Sequence, residues 1–248
     1  MKLFFILSLN VVLLSQSGYK IAKMMNEKPS PKDMSNRTQM VLTNSKGKTR
    51  TNAMVSKSID GNKKQITWFM EPKDDKGVAF LKIEHEGKDD EMRMWLPAFK
   101  KVRRISTKKK GDSFMGSDLS YEDLSNRDLD ENVYSRLEDE EMSGVNCYVL
   151  EIIPKKETGS SYSKHISWIA IDGLYVVKEN SFDKRGELQK KKIFSFELLK
   201  EYFVLKSVFV EDVQKEHTTE VTFSNIKVDI GLEEKLFQEK NLKRIPSK

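Results

Sequence analysis

The sequence predicts a mainly β fold with few helices, in which one antiparallel sheet curls into a barrel or half-barrel. Three observations carry this. Short runs rich in Val, Ile, Thr and aromatic residues follow one another from about residue 37 to 225. Tight-turn residues join them: Asp60-Gly61-Asn62, Glu86-Gly87-Lys88-Asp89 and Asp172-Gly173. Strands do not alternate with long helical patterns, so a doubly wound nucleotide-binding sheet is excluded.

The chain opens with Met1-Lys2, the apolar run LFFILSLNVVLL and Ser15-Gln16-Ser17-Gly18. This reads as a secretory signal peptide over residues 1–17, with small residues at the −3 and −1 positions of a cut near Ser17 or Gly18. The run falls short of the roughly 20 residues that cross a bilayer, and Asn10 interrupts it. No Cys follows it, so the thiol of a lipid-modified N-terminus is missing. The expectation is a soluble, exported protein whose residues 18–248 form one domain.

Helical patterning is confined to about 18–27, 118–125 and 232–240. Strand patterning covers 37–43, 50–60, 64–71, 78–86, 91–96, 101–106, 132–141, 145–153, 163–171, 174–183, 187–199, 201–212 and 216–225. Alternation places Ile66, Trp68 and Met70 on one face of their strand, and likewise Met92, Met94 and Leu96, and Tyr202, Val204, Val208 and Val210. Phe69, Phe194, Phe196, Phe203, Leu205 and Phe209 add apolar residues on the opposite parity, so part of the second face is covered as well. A single sheet of about eleven strands leaves long edges unless it curls. Curled, it encloses space that side chains or a ligand fill.

Composition narrows the function. The 248 residues are 38% hydrophobic and 9% aromatic, enough for a substantial core. Lys plus Arg (44) against Asp plus Glu (38) leaves +6, too modest to argue for nucleic acid. A single Cys147 excludes a disulfide framework and Cys-rich metal centres. His85, His165 and His217 stand in separate strand runs, without the spacing of a metal pair.

Catalytic motifs fail on inspection. Gly111-Asp112-Ser113-Phe114 resembles the start of a GDS-type hydrolase, but no Asp stands three residues before any His, and G-x-S-x-G is absent. Gly47-Lys48-Thr49 lacks the earlier glycine of a phosphate-binding loop, where Leu42 stands. Asp128-x-Asp130-x-Asn132 begins like a calcium loop, yet Val133 occupies the position that needs Gly. No catalytic, metal or cofactor site is expected. Residues 97–135 break the strand pattern and read as a long loop with a short helix, and long ordered loops often carry function. Lys100, Lys101, Arg103, Arg104, Lys108, Lys109 and Lys110 cluster there. No aromatic residue interleaves them for stacking on nucleic acid, which leaves anionic headgroups, an acidic partner or plain solvation.

The run Met94-Trp95-Leu96-Pro97-Ala98-Phe99-Lys100-Lys101-Val102-Arg103-Arg104-Ile105, followed by Gly111-Asp112-Ser113-Phe114-Met115-Gly116-Ser117-Asp118-Leu119-Ser120-Tyr121-Glu122-Asp123-Leu124, resembles the signature of exported outer-membrane lipoprotein-sorting-like proteins. These are relatives of the lipoprotein carriers LolA and LolB, and they include a treponemal uncharacterised-protein type. The resemblance runs through the whole mature chain. It implies an incomplete antiparallel β-barrel with helices over its open side, enclosing an apolar cavity for acyl chains of lipid or lipoprotein. An inner-membrane exporter and an outer-membrane acceptor are the partners it suggests.

On that resemblance the candidate cavity residues are Trp68, Met70, Phe80, Met94, Trp95, Trp168, Tyr175 and Phe203, against the alternative that each is packed core. Lys100, Lys101, Arg103 and Arg104 are candidates to hold a headgroup or partner. Pro97, Gly111, Asp112, Gly116, Asp118, Tyr121 and Asp123 match the marker block as structural residues. Asp118 and Asp123 pairing internally with the arginines is an equal alternative. The absence of an anchoring Cys departs from a LolB-type acceptor and leaves a soluble carrier. The competing reading is an envelope interaction protein that docks on a membrane exporter through residues 97–124.

Overall fold

The computed structural model describes residues 18–246, so the expected signal segment at 1–17 lies outside the described residues. Helix α1 (residues 18–27) precedes fourteen strands. These are β1 (Asp33–Thr43), β2 (Thr49–Ile59), β3 (Lys64–Glu71), β4 (Ala79–Ile83), β5 (Glu91–Leu96), β6 (Lys101–Ile105) and β7 (Asn132–Arg136). They continue with β8 (Glu140–Met142), β9 (Val145–Pro154), β10 (Lys164–Ala170), β11 (Val176–Phe182), β12 (Leu188–Leu199), β13 (Tyr202–Asp212) and β14 (His217–Val228). All join one sheet in the order β6-β5-β4-β3-β2-β1-β14-β13-β12-β11-β10-β9-β7, with β8 beside β9.

Every pairing is antiparallel, as the hairpin turns require. The β1–β14 ladder, Met34 opposite Val228 to Thr43 opposite Thr218, joins a front meander to a back one. Register shifts at Ser35/Arg37, Ala53/Met54, Trp168/Ile169, Ser181/Phe182 and Ser195/Phe196 supply the bulges that bend strands and sharpen twist. The curled sheet does not close, because β6 and β7 are its free edges. The fold is therefore mainly β and half-barrel-like, as the alternation predicts.

Three local expectations are corrected. The run 132–141 is split into β7 and β8, and the sheet holds fourteen strands, more than about eleven. The segments around 118–125 and 232–240 form only 3₁₀ turns, Glu122–Leu124, Glu234–Leu236 and Glu239–Lys243. Side-chain bonds to the backbone compete with helix there: Asp123 accepts from Ser120 N at 2.8 Å, and Asn241 Nδ2 donates to the carbonyls of Lys235 and Leu236.

Three coverings shield much of the sheet. The C-terminal stretch lays Leu232, Leu236, Phe237 and Leu242 over Ile59, Ile66, Trp68, Ala79 and Leu81 on the outer face. Ion pairs Lys64–Glu234 and Arg93–Glu239 pin it. Its approach is set by Asp33, whose carboxylate accepts from the backbone N–H groups of Ile230, Gly231 and Leu232 at 2.8 to 3.2 Å. The inner face is covered by α1 at one end, where Ile21 and Ala22 pack on Tyr134, Leu150, Ile152 and Ile169. The connection from β6 to β7 covers the rest. Since those strands are the two free edges, this connection has to cross the open mouth.

Candidate functional site: the inserted connection and the inner face

Residues 106–131 dive into the hollow as a small hairpin with its own backbone bonds. Phe114 N donates to Leu119 O at 2.8 Å and Tyr121 N to Asp112 O at 3.2 Å, with Ser113 bridged to Ser120. Its tip needs two consecutive left-handed residues, Met115 (φ 52°) and Gly116 (φ 79°), the geometry of a primed hairpin turn that Gly adopts without strain. Ser113 Oγ donates to the Ser117 carbonyl. It serves as a turn residue and meets no imidazole among the described contacts.

The front half of the inner face is apolar. Phe114 and Tyr121 sit among Met40, Leu42, Met54, Phe69, Phe80, Met92, Met94, Ile105, Val208, Val210 and Val221, with Met115, Leu119 and Leu124 packed alongside. Phe114 meets Phe80 and Tyr121 edge to face, at ring-centre distances of 5.2 and 5.8 Å. The apolar rows of β1 to β5 thus face the insertion rather than one another.

The back half of the same face is ionic. Asp123, with a side chain only 4% exposed, accepts from Lys190 Nζ at 2.8 Å, Lys192 Nζ at 2.5 Å and Tyr162 Oη at 2.9 Å. Lys192 also reaches Glu179 at 3.2 Å, and Arg127 forks onto Glu179 at 3.0 and 3.3 Å. Burial works against the Asp123 charge, but the Lys192 and Lys190 ammoniums outweigh it and hold the carboxyl well below its usual range. Glu179 is likewise held low against burial by Arg127 and Lys192. Lys190 is pushed down by burial, which its Asp123 partner only partly offsets, whereas Lys192, facing two carboxylates, is raised. Burial drives His165 down to about 3, so its ring is neutral, with Nδ1 2.9 Å from Ser181 Oγ.

Further bonds pin the insertion. Asp118 accepts from Thr219 Oγ1 at 2.7 Å and lies 2.7 Å from His217 Nδ1, Glu122 accepts from Ser161 N and Oγ, and Lys82 donates to Leu124 O at 2.7 Å. Asp118 and Asp123 therefore pair internally, Asp118 with His217 and Asp123 with Lys190 and Lys192, and neither with an arginine; Arg103 and Arg104 have no ion-pair partner among the described residues.

The cavity candidates divide between the two faces. Phe80 and Met94 lie beneath the insertion. Trp68, Met70 and Trp95 belong to the outer cluster beneath the C-terminal stretch, where Trp68 Nε1 donates to Asn241 O at 3.3 Å and Lys243 caps the Trp95 ring. Trp168 packs with Cys147 and Val149 on the parity opposite His165 and Ser167, and donates to Glu140 at 2.9 Å. Tyr175 and Phe203 stack at 4.9 Å beside Phe196, near Lys28 at the end of α1. The expected hollow is thus occupied by the protein's own insertion.

Two shallow concavities open elsewhere on the described surface, one of about 720 Å³ at Arg136–Glu140 and one of about 400 Å³ between His85, Lys88, Asp89, Glu91 and Arg104, and both are lined mainly by charged residues. Pro97 begins a 3₁₀ turn that delivers the exposed Lys100, Lys101, Arg103 and Arg104 to edge strand β6. Gly111 is explained by contact, since a Cβ there would stand 2.7 Å from Ser161 Cβ.

Sequence reasoning missed the ionic cluster. Its signal was present: Lys190 and Lys192 share strand parity with the apolar Phe194, an inward parity for charged residues. Among the described residues no group of His, Cys, Asp and Glu is placed to hold a metal, and no helix is long and apolar enough to cross a membrane.

A family model described only as an uncharacterized-protein-like family matches residues 61–244. A Vibrio parahaemolyticus structure described as an outer membrane lipoprotein-sorting protein domain is 30% identical, with a TM-score of 0.88 over 93% of this chain and 100% of that one. A DUF1329 family protein from Desulfovibrio piger is 31% identical, with a TM-score of 0.87 over 92% and 99%. A LolA superfamily protein from Nitrosomonas europaea, 16% identical over 92% of this chain and 98% of that one, shares the fold with a TM-score of 0.71. No curated protein matches the chain.

Proposed function

Because this chain belongs to the DUF1329 family of outer membrane lipoprotein-sorting-like proteins, we propose that it is a soluble, exported binding protein for acyl chains of lipid or lipoprotein. It acts in envelope traffic without catalysis. One observation carries this reading: the apolar inner face of the open sheet is filled by an inserted connection whose one backbone-to-backbone bond to the scaffold among the described residues, Lys155 N to Glu131 O, lies where it runs into β7. A filling of that kind is separable from the scaffold.

The energetics are of the right size. Each methylene withdrawn from water is worth about 0.8 kcal/mol, so about ten of them return about 8 kcal/mol. That is comparable to what a few large apolar side chains of the insertion lose on leaving the hollow, at about 1.5–3 kcal/mol each. An acyl chain thus matches the apolar part of the insertion's packing, while the buried ion pairs that Asp123 and Arg127 make have to be replaced separately. Uptake requires no covalent step.

The test is native mass spectrometry of gently purified protein, with extraction of what travels with it. Bound lipid or acylated peptide is the expected result. Protein that arrives empty and takes up nothing from an envelope lipid extract would overturn the reading.

The exposed basic strip favours a second activity, docking on an envelope partner such as a membrane exporter. Lys100, Lys101, Arg103 and Arg104 have no ion-pair partner among the described residues, and Phe99 beside them is 71% exposed. Capture of an exporter that is lost when the four cations are replaced by Gln, from protein that carries no lipid, would favour docking alone.

A further inference from the structure

We propose that the 106–131 connection is an intramolecular stand-in for an anionic amphiphile, and that Lys190 with Lys192 is the seat of that ligand's headgroup. This rests on the acyl-chain reading above and adds to it the ligand's charge and the device that keeps the site closed.

The insertion is arranged as such a ligand would be. Its apolar residues Phe114 and Tyr121 occupy the front of the inner face, and its carboxylate, Asp123, lies at the back between two buried lysines. Its backbone bonds are mostly its own: Phe114 to Leu119, Tyr121 to Asp112, Glu122 to Lys110. Withdrawal therefore breaks side-chain contacts and leaves the sheet ladder intact. The buried lysines are what withdrawal exposes.

Charge accounting specifies the replacement. Asp123 and Arg127 both belong to the insertion and leave together. The sheet then keeps Lys190, Lys192, Glu179 and Asp212; Glu179 already lies 3.2 Å from Lys192, and Asp212, opposite Lys190 in the ladder, is paired with Lys215 at 2.7 Å. One unmatched cation remains on a face that the ligand covers. A monoanionic headgroup, phosphodiester or carboxylate, neutralises it and takes over the bonds that Asp123 receives from Lys190 and Tyr162. A zwitterionic headgroup brings its own cation and leaves the seat unbalanced, which is costly where charges are buried.

The experiment compares wild-type protein with monomeric short-chain phosphatidylglycerol, phosphatidylcholine of the same chains, and inorganic phosphate. Affinity is read by titration, and the insertion by hydrogen exchange of residues 112–127. Expected are affinity for phosphatidylglycerol about tenfold above that for phosphatidylcholine, loss of protection across 112–127 on binding, and weak binding of phosphate. In Lys190→Met the preference for phosphatidylglycerol over phosphatidylcholine disappears.

Equal affinity for the two lipids overturns the headgroup seat and leaves acyl-chain binding standing. Phosphate binding as tight as the lipid's overturns the amphiphile and leaves a bare anion site. Lipid uptake with the insertion still protected overturns the stand-in. Failure to bind either lipid overturns this inference and the underlying reading together. The wild-type arms decide the matter even where the variant folds poorly.

Discussion

The ring of Phe114 at the tip of the inserted hairpin meets the ring of Phe80 on β4 edge to face, with centres 5.2 Å apart and planes at 64°. Residues distant in sequence thereby close the mouth of the sheet. Truncating Phe114 to Ala removes a buried aromatic from a packed cluster, which costs about 3 kcal/mol or more. Because the vacated space lies at an open mouth, Phe114→Ala should also bind a hydrophobic dye in proportion to protein. Unchanged denaturation midpoints in the variant would mean that the hairpin contributes no packing.

Gly111 and Ser161 form a second contact between the insertion and the scaffold. A methyl at Gly111 would sit 2.7 Å from Ser161 Cβ, closer than carbon atoms tolerate, so Gly111→Ala must push the insertion outward. The expected cost is about 1–3 kcal/mol. Ser161→Gly removes the opposing carbon while keeping the backbone N–H that Glu122 accepts from. Since Ser161→Gly alone forfeits the Oγ bond to Glu122, the double variant should lose less than the sum of the two single changes, and a thermodynamic cycle measures the coupling. Purely additive effects would place the strain elsewhere.

Strands and turns were legible because alternation and turn chemistry are local properties of the chain. The division of Trp68 from Phe80 between outer and inner face was not. Trp68 and Phe69 are adjacent on β3 and both almost fully buried, so parity separates the faces without telling which one looks into the hollow. That choice is made by the C-terminal stretch, which reaches Trp68 from 173 residues away. The ionic cluster was hidden for the same reason, since Asp123 and Lys190 stand 67 residues apart and each reads as a solvated charge in its own segment. The marker block was readable as a unit; its role as the occupant of the hollow depends on β6 and β7 being opposite edges of the sheet.

Trp68 now serves as a control. Its ring packs with Phe237 and Leu242 on the face away from the insertion. Trp68→Leu should lower stability by about 2 kcal/mol through lost packing and leave lipid affinity unchanged. Titration of the folded variant with the same short-chain lipids checks this. A folded variant that no longer binds would return Trp68 to the ligand's path.

Acid should loosen the back half of the inner face, and His165 sets where this begins. Its surroundings are Ser181, Glu179 at 3.5 Å, the Tyr162 ring at 4.8 Å, Arg127 and Lys192. Burial holds the folded-state value at about 3, while the unfolded chain takes up a proton at about 6.5. Between those values the unfolded state binds more protons, so its contribution to stability is complete above about 6.5 and declines as pH falls toward 3. At about 1.4 kcal/mol per unit, going from pH 6.5 to 5 removes about 2 kcal/mol. Asp123 and Glu179, held low in the fold, lose their contributions only below the ordinary carboxylate range, near pH 4 and beneath. Urea denaturation at pH 7.5 and 5 should therefore show a loss in the wild type that His165→Gln largely abolishes. If both proteins lose stability equally over that interval, the imidazole is not the group that resists protonation, and the decline belongs to charges elsewhere on the sheet.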